Sequence, residues 1–347
     1  MPDLPVEQIP LFQLNLMIWL SFPMRAGKYY PVFRTNGYEL YRIASPIPLS
    51  IAVVARATTA VPPLDMVGRP SPELVLRKED GWRLLTVECK TSSFGPDTTQ
   101  ARQAMGLISS SGPHISSAFG LDNPERWAAD MLFAVTHPQQ ADMESCLEVL
   151  SRRLEEARIE PTPSTSCGIE QRSDGVYLYF ARPERVPFSV PYELRVVTLE
   201  PGEDPRPLYL IPLDPSINAQ DEYGQRVVEE RVRTALAYLI GSRLAQEQFA
   251  VTWDELMTAA IEVWPLWRDR DATRYVSERV RRYVERVLKD IAESSTAGVQ
   301  VSPVGFELKG VHPAVAARIR DYLNSAGFRR GQLGFWQSGV QLGLEGV

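Results

Sequence analysis

The 347-residue sequence predicts an α/β (α+β) domain followed by a mainly helical one. Three observations predict it. The length suits two domains, each with its own core. Up to about residue 214, strand-like apolar runs alternate with amphipathic helical stretches. From about residue 218 the periodicity is helical and broken by a single hairpin-like segment.

The elements follow in order. "MPDLPVEQIPLFQLNLMIWLSF" has an apolar run interrupted by Gln13 and Asn15. It is too short and too polar to span a bilayer, lacks a basic leader region, and is expected to be a buried helix or strand. "PVFRTNGYELYRI" places Asn36-Gly37 between apolar stretches, the signal of a two-residue hairpin. "PLSIAVVARATT" is expected to be another strand, and "VPPLDMVGRPSP" is a Pro/Gly-rich connection. A hairpin over about 73–90 comes next. "FGPDTTQARQAMGLISSSGP" predicts a helix capped by Asp97 or Thr98 and ended by Ser-Ser-Ser-Gly-Pro. "DMLFAVTH" is a buried strand and "ADMESCLEVLSRRLEEARI" an amphipathic helix. "GVYLYFAR", "YELRVVTLE" and "LYLIPLD" add strands.

In the second half, "EYGQRVVEERVRTALAYLIGSRLAQ" is helical. "TWDELMTAAIEVW" opens with the capping-box pair Thr252 and Glu255. "DATRYVSERVRRYVERVLKDIAES" is a long helix, "GVQVSPVGFELKGV" a short hairpin, and "HPAVAARIRDYLNSAG" a last helix ending at Gly327. Three helices, a hairpin and a helix predict a winged helix-turn-helix domain. The expected organisation is a β-rich extension with hairpins (1–62), an α/β domain (63–215), the winged-helix domain (216–330) and a Gly-rich tail (331–347).

Composition excludes several classes. The net charge is -6, so any nucleic-acid surface is a local patch. Cys89, Cys146 and Cys167 are odd in number and form no CxxC pair, which argues for a reducing, cytoplasmic setting without disulfides or zinc knuckles. With three histidines, metal chemistry would have to use carboxylates, which suits Mg2+ or Mn2+. His137 and His312 each precede a proline and are expected in turn or cap roles. No Walker-type loop occurs, so any ATPase would be a separate partner chain.

The hairpin "SPELVLRKEDGWRLLTVECKTSS" carries the chemistry. With Asp80-Gly81 as its turn, Glu79 faces Trp82, and continuing the pairing puts Glu73 opposite Glu88. A four-residue loop over 79–82 gives the same pairing. Lys90 shares the Glu88 face. Leu74, Leu76, Leu85, Val87 and Cys89 form an apolar opposite face, with Cys89 turned from the charges. Two carboxylates about 5 Å apart repel by roughly 3 kcal/mol at an effective dielectric of 20. A hairpin selected for stability alone would avoid that pair, whereas a divalent cation turns it into a source of affinity.

Pro72-Glu73 followed by Glu88-Cys89-Lys90 resembles the signature of the PD-(D/E)xK nuclease superfamily, over about residues 65–137. The resemblance implies a restriction-endonuclease-like core and metal-dependent phosphodiester hydrolysis, usually of DNA. Glu73 and Glu88 would bind Mg2+ or Mn2+, and Lys90 would position water or polarise the phosphate. Glu73 stands where aspartate is commoner. The following helix often supplies a glutamine, here Gln103 or Gln100. A glutamate from a preceding helix is frequent, with Glu7 and Glu39 as candidates. Glu307-Leu308-Lys309 repeats the triplet without an opposing acid and is expected to be a solvated wing edge.

In the long helix, Val276, Val280, Val284, Val287 and Ile291 form an apolar stripe. Arg274, Arg281, Arg282, Arg286 and Lys289 fall mostly off it and are the candidate DNA contacts, with Arg329-Arg330 as a further one. The competing account is a solvated face with pairs such as Glu278 with Arg282 and Glu285 with Lys289. The expected function is a DNA endonuclease of a restriction, anti-phage defence or mobile-element system. Its rivals are a non-catalytic DNA-binding or assembly subunit and an RNA-directed nuclease.

Overall fold

A computed structural model describes residues 5–22, 28–204, 222–267 and 270–325. They fall into two compact units. The first comprises the described residues up to 204 with 266–267; the second comprises 222–265 and 270–325.

The first unit is built on a mixed seven-stranded sheet: β1 (Glu39–Ile43), β2 (Leu74–Lys78), β3 (Arg83–Cys89), β4 (Ala128–Thr136), β5 (Ser164–Arg172), β6 (Gly175–Phe180) and β7 (Glu193–Thr198), ordered as in the chain. β2 runs antiparallel to both β1 and β3, β3–β4–β5 are parallel, and β5–β6–β7 are antiparallel. The parallel pairs need crossovers, and helices supply them. Between β3 and β4 lie α4 (Thr99–Ile108) and α5 (Gly112–Ala118); between β4 and β5 lies α6 (Gln140–Glu156). Towards the N-terminus are α1 (Pro10–Trp19), the one-turn α2 (Val32–Thr35) and α3 (Ile51–Thr59).

Both faces of the sheet are covered. Val75, Leu84, Met131, Phe133 and Val135 pack against Ala101, Ala104, Met105 and Ile108 of α4 and Met143, Leu147 and Leu150 of α6. On the other face Leu74, Leu76, Leu85, Val87 and Cys89 are buried as expected, and α1 lies against β3 with nine of its ten residues buried. Leu74–Leu76 of β2 and Leu84–Cys89 of β3 are therefore buried on both faces, as the central strands of a two-sided sheet must be.

The sequence-based expectations for residues 31–59 need correction. Asn36-Gly37 ends the one-turn helix α2 instead of joining two strands, and Gly37 takes the left-handed conformation (φ 85°) that the exit demands. "PLSIAVVARATT" holds the helix α3, not a strand. Ser50 caps it through Val53 N–H, and that cap overrides the β-propensity of its valines. The described residues of 1–62 thus contain one strand rather than hairpins. The segment 112–118 continues as α5, with Pro113 in its first turn. β5 was not foreseen, because "STSCGIEQR" is polar for a strand buried over most of its length. "LYLIPLD" lies outside the described residues.

The second unit holds α7 (Glu222–Ala245), β8 (Ala250–Thr252), α8 (Trp253–Ala260), α9 (Arg270–Ser295), β9 (Gly298–Val301), β10 (Gly305–Lys309) and α10 (Pro313–Asn324). The capping box forms: Thr252 Oγ1 accepts from Glu255 N–H while Glu255 accepts from Thr252 N–H. β10 lies antiparallel between β8 and β9. Val276, Val280, Val284, Val287 and Ile291 are buried. Gly327, Arg329-Arg330 and the tail 331–347 lie outside the described residues. Among the described residues no helix is long and apolar enough to cross a membrane.

Candidate active site

The β2–β3 register is the one the turn predicts: Lys78 faces Arg83, Leu76 faces Leu85 and Leu74 faces Val87. The loop itself differs. It is a four-residue 3-10 turn, Glu79–Gly81 plus Trp82, and Trp82 rather than Gly81 takes the left-handed conformation (φ 51°). Because that loop keeps the pairing of a two-residue turn, Glu73, one residue before β2, still meets Glu88.

Four side chains converge there. Glu88 is 1 % exposed. Its Oε1 accepts from Lys90 Nζ at 2.6 Å and from Gln103 Nε2 at 2.9 Å, and its Oε2 accepts from Glu73 N–H at 3.3 Å. Glu73 Oε2 accepts from Cys89 N–H at 2.6 Å, so each acid takes a backbone N–H from the opposite strand end. The Cys89 thiol is a further hydrogen-bonding neighbour of the Glu73 side chain.

The helix α4 is seated so that Gln103 can reach Glu88. Thr98 caps it through Ala101 N–H. Val67 N–H donates to Arg102 O, tying the connection before β2 to the helix. At Gly106 a Cβ would come within 2.8 Å of Val67 O, so glycine is what allows this approach. Gln103 Nε2 also donates to Ser71 O at 3.3 Å. The structure places Gln103 at the acids and leaves Gln100 exposed on the first turn of the helix.

Electrostatics set the site apart from an ordinary ion pair. Burial, with the Glu88 charge beside it, pushes the Glu73 carboxyl up to about 8. Burial raises Glu88 as well, against the opposing pull of Lys90. Burial works to lower the Lys90 ammonium, but Glu88 and Glu73 outweigh it and hold it above its ordinary value. Lys90 is therefore a fixed cation, not a base. The Cys89 thiol is buried, as expected, but is not insulated from the acids: burial first, then the Glu73 charge, raises it far above an ordinary thiol. It is a neutral, inert group.

Of the two acids considered as additions, neither joins the pair. Glu39 faces Arg77, about 13 Å along β2 from Glu73. Glu7 lies by Glu170 near the end of β5, raised by burial and then by that neighbour. Among the described residues no group of three or more His, Cys, Asp or Glu side chains is placed to hold a metal. Two hard carboxylates suit Mg2+ or Mn2+, which commonly take one or two carboxylates and fill the remaining positions with water and phosphate oxygens.

The candidate DNA contacts of α9 separate into two kinds. Arg281 is pinned inside the second unit: its guanidinium lies 4.9 Å from the Trp253 ring centre and Nη2 donates to Pro303 O at 2.8 Å. It joins the β9–β10 hairpin to the helix, so this candidate contact is already engaged within the unit. Arg274, Arg282, Arg286 and Lys289 are exposed. Lys289 pairs loosely with Glu293 at 3.9 Å and Arg286 with Glu229 at 3.8 Å, rather than in the pairings expected from spacing. Lys309 pairs with Glu307 at an exposed edge. His137 enters a 3-10 turn, and His312 sits at the α10 N-cap without a side-chain capping bond.

Compared with known proteins, the chain matches no family model, no curated protein and no solved structure.

Proposed function

We propose that the first unit is a metal-dependent phosphodiester hydrolase of the PD-(D/E)xK type, acting on DNA. The observation that carries it is the convergence of Glu73, Glu88, Lys90 and Gln103 on one end of the β2–β3 hairpin. The order of three antiparallel strands, a helix and a parallel strand supports a restriction-endonuclease-like core.

In this account Glu73 and Glu88 hold Mg2+ or Mn2+. The ion, when bound, supplies a Lewis acid and a water of lowered pKa. Lys90, permanently charged, stabilises negative charge that develops on the scissile phosphate. Gln103 shares Glu88 Oε1 with Lys90 and so fixes the rotamer of that carboxylate, leaving Oε2 and Glu73 for the cation. The backbone N–H groups of Glu73 and Cys89 hold both acids in register, so little reorganisation accompanies the reaction.

The second unit supports a winged-helix reading: three helices precede a β9–β10 wing, and β8 closes its sheet. The exposed Arg274, Arg282, Arg286 and Lys289 would then meet phosphates. Restriction, defence and mobile-element roles are the settings that such a pairing of units suggests by analogy, with a separate ATPase or targeting chain as partner.

The test is cleavage of supercoiled plasmid and of a matched RNA by the purified chain. Mg2+ or Mn2+ should give cutting that EDTA removes, and Glu88→Gln should abolish it while keeping DNA binding. A second reading, a DNA-binding or assembly subunit on a nuclease-like scaffold, is favoured by one observation: Lys90 Nζ lies 2.6 Å from Glu88 Oε1 and balances its charge. Binding without cutting under every metal condition would select it. Cutting of the RNA alone would redirect the account to an RNA nuclease.

A further inference from the structure

A second constellation lies on the Glu88 face of the sheet, along the rank of Lys90. Cys89 pairs with Ala134, and Lys90 N–H donates to Ala134 O at 2.7 Å, which aligns Lys90 with Val135. Val135 pairs with Gly168, and Gly168 with Tyr179. Lys90, Val135, Gly168 and Tyr179 therefore form one line across four strands. Lys90 and Gly168 are about 10 Å apart, two strand spacings.

His137 closes over the far end of that line. Its ring stacks on Tyr179, with centres 3.7 Å apart and planes 17° from parallel. Gln140 is buried and donates from Nε2 to Ser166 O at 3.1 Å and to Tyr179 O at 2.7 Å. Those two carbonyls fix its amide, since the flipped form would set oxygen against oxygen. Gln140 Oε1 then faces His137 Nδ1 at 3.4 Å and assigns the proton to Nδ1. Gly168 is the seat of the pair: a Cβ there would come within 2.8 Å of Gln140 Oε1 and 2.9 Å of His137 Nδ1. Stacking, a fixed amide and a glycine seat together hold the imidazole with Nδ1 satisfied.

We infer that His137 is a second nucleic-acid contact, its Nε2 holding a backbone phosphate next to the one at Lys90. This rests on the nuclease reading and adds a positioning residue to it. A ring carrying N–H at both nitrogens donates one to Gln140 Oε1 and the other to the phosphate oxygen, with the Tyr179 ring stacked beside it. The nearby acids are occupied: Arg172 pairs with Glu170 and Glu193, and Tyr179 donates to Glu170 at 2.7 Å.

The test is steady-state cleavage of a short labelled DNA by the full chain in Mn2+. His137→Phe keeps a flat ring on Tyr179 and removes both nitrogens. It should raise KM about tenfold, the factor for one charge-assisted contact, and leave kcat and the melting temperature near wild type. His137→Asn, which also lacks Nε2, should raise KM alike and serves if the phenylalanine variant is insoluble. A wild-type KM in either soluble variant overturns the contact while leaving the nuclease reading intact. A wild-type chain that neither binds nor cuts nucleic acid overturns both.

Discussion

A buried carboxylate beside a half-buried one must find a proton or a cation, and among the described residues the Glu73–Glu88 pair has one resident cation, Lys90, for two acids. The second charge is met by a proton on Glu73, whose folded-state value of about 8 lies well above that of an exposed glutamate. The sign of the consequence follows. A carboxyl raised on folding stabilises the native state fully below its unfolded value, and that contribution is lost as pH rises through about 8. The metal-free protein should therefore melt at progressively lower temperature from about pH 5 to above pH 8, and Glu73→Gln should flatten that profile in a calorimetric series. A divalent ion competes with the same proton, so Mn2+ should raise the melting temperature more at pH 8 than at pH 6. Equal shifts at both would detach Glu73 from metal binding. Lys90→Ala removes the one countercharge to Glu88 among the described residues, and a loss of about 3 kcal/mol by denaturant titration is expected beside loss of cleavage. Cleavage at the wild-type rate would remove Lys90 from the chemistry.

The hairpin and the helix after it do the placing at the scale of elements. Its register was legible because the side-chain period of a strand is two and the loop length fixes the pairing. Even with Trp82 taking the strained turn position, Glu73 meets Glu88. The choice between Gln100 and Gln103 was not legible. It depends on how α4 docks, and that is set by Gly106 against Val67 O, a contact between segments 39 residues apart. Gly106→Ala should push α4 outward, cost about 1–3 kcal/mol and lower kcat through loss of the Gln103 contact. An unchanged melting temperature and kcat would mean that the helix shifts without consequence. Residues 48–59 read as a strand because valine and threonine favour strands locally, yet a single Ser50 cap starts a helix there. β5 escaped notice for the opposite reason. Thr165 and Ser166 are polar, and their burial is made good by Glu144 of α6, which accepts from both hydroxyls at 2.8 and 2.9 Å. A partner so far along the chain leaves no local pattern.

For the whole molecule, the account divides labour between a unit with paired acids and a unit with exposed cations. The second unit was legible as helices, hairpin and helix, but the exposure of its arginines was not. Arg281 looks like its neighbours in sequence and is instead built into the junction of α9 with the β9–β10 hairpin, against Trp253 and Pro303. Replacing Arg282, Arg286 and Lys289 with alanine should flatten the dependence of log K on log salt by about 0.9 per lost duplex-phosphate contact. Arg281→Ala should instead lower stability. An unchanged salt slope in the triple variant would assign DNA binding to the first unit or to a partner chain. The central claim is narrower: the acids at the base of the β2–β3 hairpin hold a divalent ion. Crystals soaked in Mn2+ and measured near its absorption edge test it directly. The account predicts an anomalous peak within coordination distance of both Glu73 and Glu88, absent from Glu88→Gln crystals. Soaked wild-type crystals at pH 8 with no peak between those residues, and Lys90 still paired to Glu88, would contradict it.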